Sequence, residues 1–170
     1  TPWKNSLSEP WEQWLEIINE FTASLAELFN AKQSEFCPQI NLSSGLTKIL
    51  MSLDRAQKKN CVILVSEIDF PGMGFALKKS LPKDCEIRFI PSNIDITNVG
   101  VWDEHLTEDV DLVFVSHAYS NTGQLSPISE VLSMARSRNI ISILDIAQSV
   151  GIVPIDLKAL NPDFMIGSSV

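Results

Sequence analysis

Asp145 and Gln148 stand three residues apart, directly after the apolar run Ile141-Ser142-Ile143-Leu144. A short β-branched run of this kind predicts a buried strand. An acid at the C-terminal end of such a strand sits where open α/β sheets bind ligands. A carboxylate there is placed to face a cation, and it holds a neighbouring ring nitrogen protonated because opposite charge favours the cationic form. The step to Gln148 brings a neutral amide alongside, able to donate to a phenolate oxygen. Taken alone, the pair also suits an aspartate that caps the following turn.

Three further clusters carry hydrogen-bonding or aromatic groups at comparable places. Asn41-Leu42-Ser43-Ser44-Gly45 opens a predicted helix, whose free N–H groups and dipole favour a phosphate, with a plain N-cap as the competing reading. Asp69-Phe70-Pro71-Gly72 follows a strand, and Phe70 offers a ring that could stack on a planar ligand or tuck into the core. The loop from Ser116 to Gln124 holds His117, Tyr119, Asn121 and Thr122; His117 is read as a hydrogen-bonded structural residue before a base. One ligand could touch all four clusters. A carboxylate that keeps a pyridine nitrogen protonated meets the electron-sink requirement of pyridoxal phosphate chemistry. Gly72-Met73-Gly74 is no dinucleotide site, because Leu77 stands where the third glycine is needed.

The elements that must hold these residues follow from periodicity. Apolar steps of three and four predict an amphipathic helix over residues 7–29, with a tryptophan-bearing stripe suited to core or oligomer contact. A second helix is predicted from Ser44 to Lys58. Strands are predicted at Val62–Ser66, Ile87–Ile90, Leu112–Val115, Ile140–Leu144 and Phe164–Gly167, and helices at Gly74–Leu81 and Ile128–Arg138. Alternation of this kind implies βαβ units: an α/β fold with a mostly parallel sheet flanked by helices. The organisation expected is an N-terminal helical segment over 1–35 and a ligand-binding domain over 36–170.

With 170 residues and 45% hydrophobic content the chain can bury a real core. A net charge of −8 argues against nucleic acid or an anionic membrane as partner, and no apolar window is long enough for a membrane span. No signal peptide is evident at Thr1. Three cysteines without a C-x-x-C pair make a zinc site or a disulfide framework unexpected. Cys61 and Cys85 are read as buried thiols and Cys37 as the one reactive candidate, which together suggest a reduced, cytoplasmic protein.

These residues resemble the class V aminotransferase superfamily, the pyridoxal-phosphate enzymes that include cysteine desulfurases, kynureninases and related transaminases. Asp145-Ile146-Ala147-Gln148 looks like the desulfurase Asp-Gly-Ala-Gln motif. Phe70-Pro71 and Thr122-Gly123-Gln124 look more like kynureninases. The resemblance implies Asp145 on the pyridine nitrogen, Gln148 on the ring O3′, Phe70 stacked on the ring and Asn121 near the ring oxygen. It implies Ser43, Ser44 and Gly45 in the phosphate-binding turn. Asp163-Phe164-Met165-Ile166-Gly167-Ser168-Ser169-Val170 is similar to the stretch leading into the Schiff-base lysine, which places Ser168 at the cofactor and expects that lysine immediately after Val170. The implied fold is the large domain of the aspartate-aminotransferase type (type I), with a seven-strand-like sheet and the small C-terminal domain outside this chain. The implied function is an amino-acid transaminase or desulfurase, with kynureninase-like C–C hydrolysis second and a non-catalytic binding protein third, working as a homodimer on a small amino acid.

Departures accompany the match. Gln148 stands where kynureninases carry histidine, and Phe70 stands near the stacking histidine of desulfurases. Met73 replaces a kynureninase aspartate, Val170 replaces a phosphate-contacting His or Tyr, and the step from His117 to Asn121 is not the desulfurase spacing.

Overall fold

A computed structural model describes Lys4 and residues 11–168, in two compact units. One unit holds the helix α1 (Trp11–Leu28), a 3-10 turn at Gln33–Glu35 and residues Ile155–Ala159. Asn30 adopts the left-handed conformation (φ 51°), and the Ala31 N–H reaches back to the Ala26 carbonyl at 2.9 Å, which closes the helix end. Ala31 is followed by the turn that stacks Phe36 on Phe29, ring centroids 6.0 Å apart. The Leu157 N–H donates to the Phe29 carbonyl at 2.9 Å. The tryptophan-bearing stripe is not core: Trp11 is 68% exposed, Leu15, Ile18 and Phe21 are also exposed, and Thr22 is the buried residue of α1. Residues 7–10 of the predicted helix lie outside the described residues.

The other unit is built on a sheet. Its helix α2 (Leu42–Ser52) was expected to continue to Lys58 but breaks at Leu53, which is extended, and a single turn α3 (Asp54–Gln57) restarts it. The break buries Ala56 and lets the Gln57 amide donate to the Leu50 carbonyl at 3.1 Å, satisfying a helix-end acceptor. There follow β1 (Val62–Ser66), α4 (Pro71–Ser80), β2 (Glu86–Ile90), α5 (Val99–His105), β3 (Leu112–Ser116), α6 (Ile128–Ser137), β4 (Ile141–Asp145) and β5 (Phe164–Ile166), while the short helix α7 (Leu157–Leu160), between β4 and β5 in sequence, falls mostly in the first unit. All strand pairs are parallel, in the order β2-β1-β3-β4-β5. Five strands are present among the described residues, not a seven-strand-like sheet. That larger number came from resemblance to a whole large domain, whereas only five strand-length apolar runs occur here.

β1 and β3 are buried along their whole length, so they read as continuous apolar runs rather than alternating ones. Leu46 and Leu50 of α2, Met73 and Leu77 of α4, and Ile63, Phe114 and Ile143 of the sheet form one core cluster. α5 was not expected; Asn98 caps it by accepting from the Gly100 N–H at 2.9 Å, and Trp102 is buried with its indole N–H on the Ile96 carbonyl at 2.8 Å.

Cys61 and Cys85 are not the buried thiols expected of them. Cys61 and Cys85 are joined in a disulfide across the N-terminal ends of β1 and β2, with Cα atoms 4.6 Å apart. They are 24 residues apart in sequence, but parallel pairing of Val62 with Glu86 puts the preceding residues side by side. The argument for a reduced compartment, built on thiols at these positions, loses that support.

The strand order supplies the location of a site. From β1 the chain moves outward to β2, then returns to β3 on the other side of β1 and continues outward through β4 to β5. The order therefore reverses between β1 and β3. Crossover connections leave in opposite directions there and open a crevice at the C-terminal ends of the strands.

Candidate functional site

Asp145 is the last residue of β4, paired in register with Ser116, the last residue of β3. The His117 N–H donates to the Asp145 carbonyl at 2.8 Å and continues the pairing one step past the strand. The Asp145 side chain is 7% exposed. Its Oδ1 accepts from the Ala147 N–H at 2.9 Å, so it does cap the following turn. Burial raises its pKa, and the Ala147 bond opposes this only in part. Asp111, at the opposite edge of the sheet, is buried to a similar degree but carries a cation, with Lys58 Nζ at 2.6 Å. Asp145 has no ion-pair partner among the described residues. A buried carboxylate of this kind is costly until something cationic meets it.

Gln148 is exposed on the turn after β4. That turn is braced from below: Ser149 Oγ lies 2.9 Å from His117 Nδ1. His117 is buried, and burial lowers its pKa, so it is held towards the neutral form. Gly167 follows β5. A Cβ there would lie 2.9 Å from Cγ1 of buried Ile146, so the glycine lets the residue next to Asp145 pack against β5.

Phe70 occupies the N-cap position of α4, just past β1, and is 57% exposed. Pro71 fits the first helical position, where its missing N–H costs nothing. A Cβ on Gly72 would come within 3.1 Å of the Phe70 ring, so the ring has room to lie over the helix start. Met73, one residue further, is buried in the core. The start of α2 differs from its expectation by two residues. The cap is Asn41, whose Oδ1 accepts from the Ser44 N–H at 2.8 Å while its carbonyl accepts from the Gly45 N–H at 3.1 Å. That leaves the Leu42 and Ser43 amides and the Ser43 and Ser44 hydroxyls for an anion. Gly45 is not required by packing, since a Cβ there would meet Gln39 at an ordinary 3.7 Å.

Asn121 stands at the exposed tip of a turn closed by the Ala118–Leu125 bridge and by the Gly123 N–H on the Tyr119 carbonyl at 2.8 Å. Inside the same loop Tyr119 is buried, with its phenol oxygen 3.4 Å from Ser126 Oγ. Ser168 is half-buried just after β5.

Asp69 directly precedes Phe70, three residues past β1. Its Oδ1 accepts from the Ser116 hydroxyl at 2.7 Å and its Oδ2 from the Ser66 N–H at 2.8 Å. Burial pushes its pKa up to about 7, and the nearby Asp145 charge adds to this. Burial also raises the Tyr119 phenol, again with a contribution from Asp69. The signal that singled out Asp145, an acid just past an apolar strand, applies equally to Asp69 three residues beyond β1. No group of three or more His, Cys, Asp or Glu suited to a metal ion occurs among the described residues.

The residue types fit pyridoxal phosphate: a buried carboxylate without an ion-pair partner among the described residues for a ring N–H, an exposed ring at the start of α4, an exposed amide on the turn after β4 and a helix start with anion-binding groups. A family model for aminotransferase class-V matches residues 3–169. A kynureninase of Shouchella clausii is 24% identical over 95% of this chain. An uncharacterized aminotransferase of Bacillus subtilis, YcbU, is 22% identical over 91%. The chain spans 40% and 41% of the lengths of these two relatives. Among solved structures, the cystine C-S lyase C-DES in complex with cysteine persulfide superimposes with a TM-score of 0.82 at 25% identity, over 95% of this chain and 44% of that one. A cysteine desulfurase from Thermococcus onnurineus gives 0.78 at 19% identity, over 96% of this chain and 41% of that one, and so shares the fold.

Proposed function

Because this chain belongs to the class V aminotransferase family, we propose that it binds pyridoxal 5′-phosphate at the C-terminal edge of β1, β3 and β4 and serves an enzyme that acts on a small amino acid. Asp145 carries this reading: a buried carboxylate, at the end of a strand, with no ion-pair partner among the described residues. In the proposed arrangement Asp145 Oδ2 accepts from the ring nitrogen, Phe70 stacks on the ring, Gln148 donates to the ring oxygen, and the α2 start with Ser43, Ser44 and Gly45 receives the phosphate. Ser168 joins from the end of β5, and Asn121 approaches from the loop after β3. When bound, the cofactor supplies an electron sink for bonds at the amino acid's Cα. The protein's part is to keep the ring nitrogen charged, hold the ring plane and exclude competing orientations.

Transaminase or desulfurase-like chemistry is the leading reaction, consistent with the Asp145–Gln148 spacing and with the fold shared with C–S lyases. Kynureninase-like hydrolysis is favoured by a different observation, the Phe70-Pro71 start of α4 together with relatives named kynureninase. Either needs a lysine to carry the cofactor, expected directly after Val170. Any other residue at that position in the gene would leave a binding protein on an enzyme scaffold. The whole protein is proposed to be a homodimer.

The test is cofactor binding by the full-length protein. Asp145→Ala is expected to weaken pyridoxal phosphate binding by about tenfold to a thousandfold, the scale of one to three pKa units of charge pairing. Unchanged affinity in a folded variant would refute the site.

A further inference from the structure

Asp69 joins the site by geometry alone. It lies three residues past β1, on the far side of the strand reversal from Asp145. Its Oδ1 is bonded to the hydroxyl of Ser116, the β3 residue in register with Asp145. Its other oxygen is held by the Ser66 N–H, so the carboxyl is fixed in the crevice rather than free to swing out. Phe70, the proposed stacking ring, is the next residue. The titratable groups around it are Asp145 and the Tyr119 phenol, with His117 next to Ser116 held neutral by burial. None is a cation, and neither carboxylate has an ion-pair partner among the described residues. Two acids in one crevice without a cation are repulsive in low dielectric, and a single positive charge between them relieves both.

We propose that Asp69 is a positioning residue for the cofactor: a second carboxylate which, held by Ser116 beside Asp145, adds its charge at the ring-nitrogen position and favours the protonated ring. This rests on the pyridoxal-phosphate reading of the site. Asp69 does not touch the reacting atoms; it acts through the potential at Asp145. The same arrangement makes the crevice selective for a cofactor that brings a cationic ring over one that brings only a phosphate.

Asp69→Asn tests the charge by itself. With its oxygen on the Ser66 N–H, the asparagine can donate its amide to the Ser116 oxygen, so both hydrogen bonds survive. In the cofactor-loaded full-length protein, ¹⁵N NMR of ring-labelled pyridoxal phosphate reads the pH at which the ring nitrogen loses its proton. Asp69→Asn is expected to lower that pH by about one unit and to weaken cofactor binding about tenfold. Asp145→Asn, run in parallel, is expected to have the larger effect on both. An effect of Asp145→Asn with none of Asp69→Asn overturns the role of Asp69 and leaves the site standing. No effect of either overturns both. A lowered melting temperature with an unmoved ring-nitrogen titration assigns Asp69 a purely structural role and also overturns the proposal. Should Asp69→Asn fail to fold, Ser116→Ala removes a donor that keeps Asp69 ionised; a smaller shift in the same direction supports the proposal and no shift overturns it.

Discussion

Asp69 and Asp145 oppose folding when the crevice is empty of cations and support ligand binding when one arrives. The sign follows from proton linkage. Asp69 has an ordinary value of 3.8 and a folded value of about 7, raised chiefly by burial, so the folded state holds its proton more tightly than the unfolded state between those limits. Its contribution to stability is therefore full below pH 3.8 and is lost as pH rises towards 7. Asp145 is shifted in the same direction. Exposed carboxylates such as Asp95 and Asp156 shift downward through their hydrogen bonds and act oppositely, losing stability on acidification. The expected outcome is thus a difference: the cofactor-free wild type loses melting temperature relative to Asp69→Asn as pH rises from 4 to 8. A pH-independent difference in calorimetry would contradict it. Phe70→Ala should weaken cofactor binding about threefold to tenfold, the worth of one ring contact, with little change in stability because the ring is largely exposed. Equilibrium dialysis measures this, and Gly72→Ala should lower affinity in the same direction by crowding that ring.

At the scale of elements, most helices and strands were legible and their ends were not. Val62–Ser66 was read as it stands because a continuous apolar run between turn formers has few alternatives. The break of α2 at Leu53 was hidden, since the 3.6-residue pattern runs through it; what decides it is the burial of Ala56 and the Gln57 amide, both tertiary. α5 was missed because its seven residues bury mainly Trp102 and show little periodicity. Leu50→Ala should cost about 2–5 kcal/mol in denaturant unfolding, because Leu50 is fully buried in the core cluster under the sheet. The Cys61–Cys85 bond ties β1 to β2. Without reductant an alkylating reagent should label exposed Cys37 and spare the other two, and peptide mapping by mass spectrometry would show Cys61 and Cys85 linked. Labelling of all three in the native protein would remove that cross-link.

For the molecule as a whole, the chain carries a net charge of −8, and no helix among the described residues is long and apolar enough to cross a membrane. The exposed apolar stripe of α1 is the candidate dimer contact, and sedimentation of the full-length protein at twice its monomer mass is the expected result; a monomer would sink it. The sequence by itself determined the α/β class, the buried strands and the chemistry available at their ends, since periodicity, turn formers and an acid after an apolar run are local properties. It singled out Asp145 and Phe70 for that reason. Only the tertiary structure decided that β1 and β3 are neighbours, that the strand order reverses between them, and that Asp69, 76 positions before Asp145, shares its crevice through Ser116. Strand order depends on which faces the helices cover and on long-range pairing. No local pattern encodes that, so the second carboxylate emerged only when the sheet was assembled.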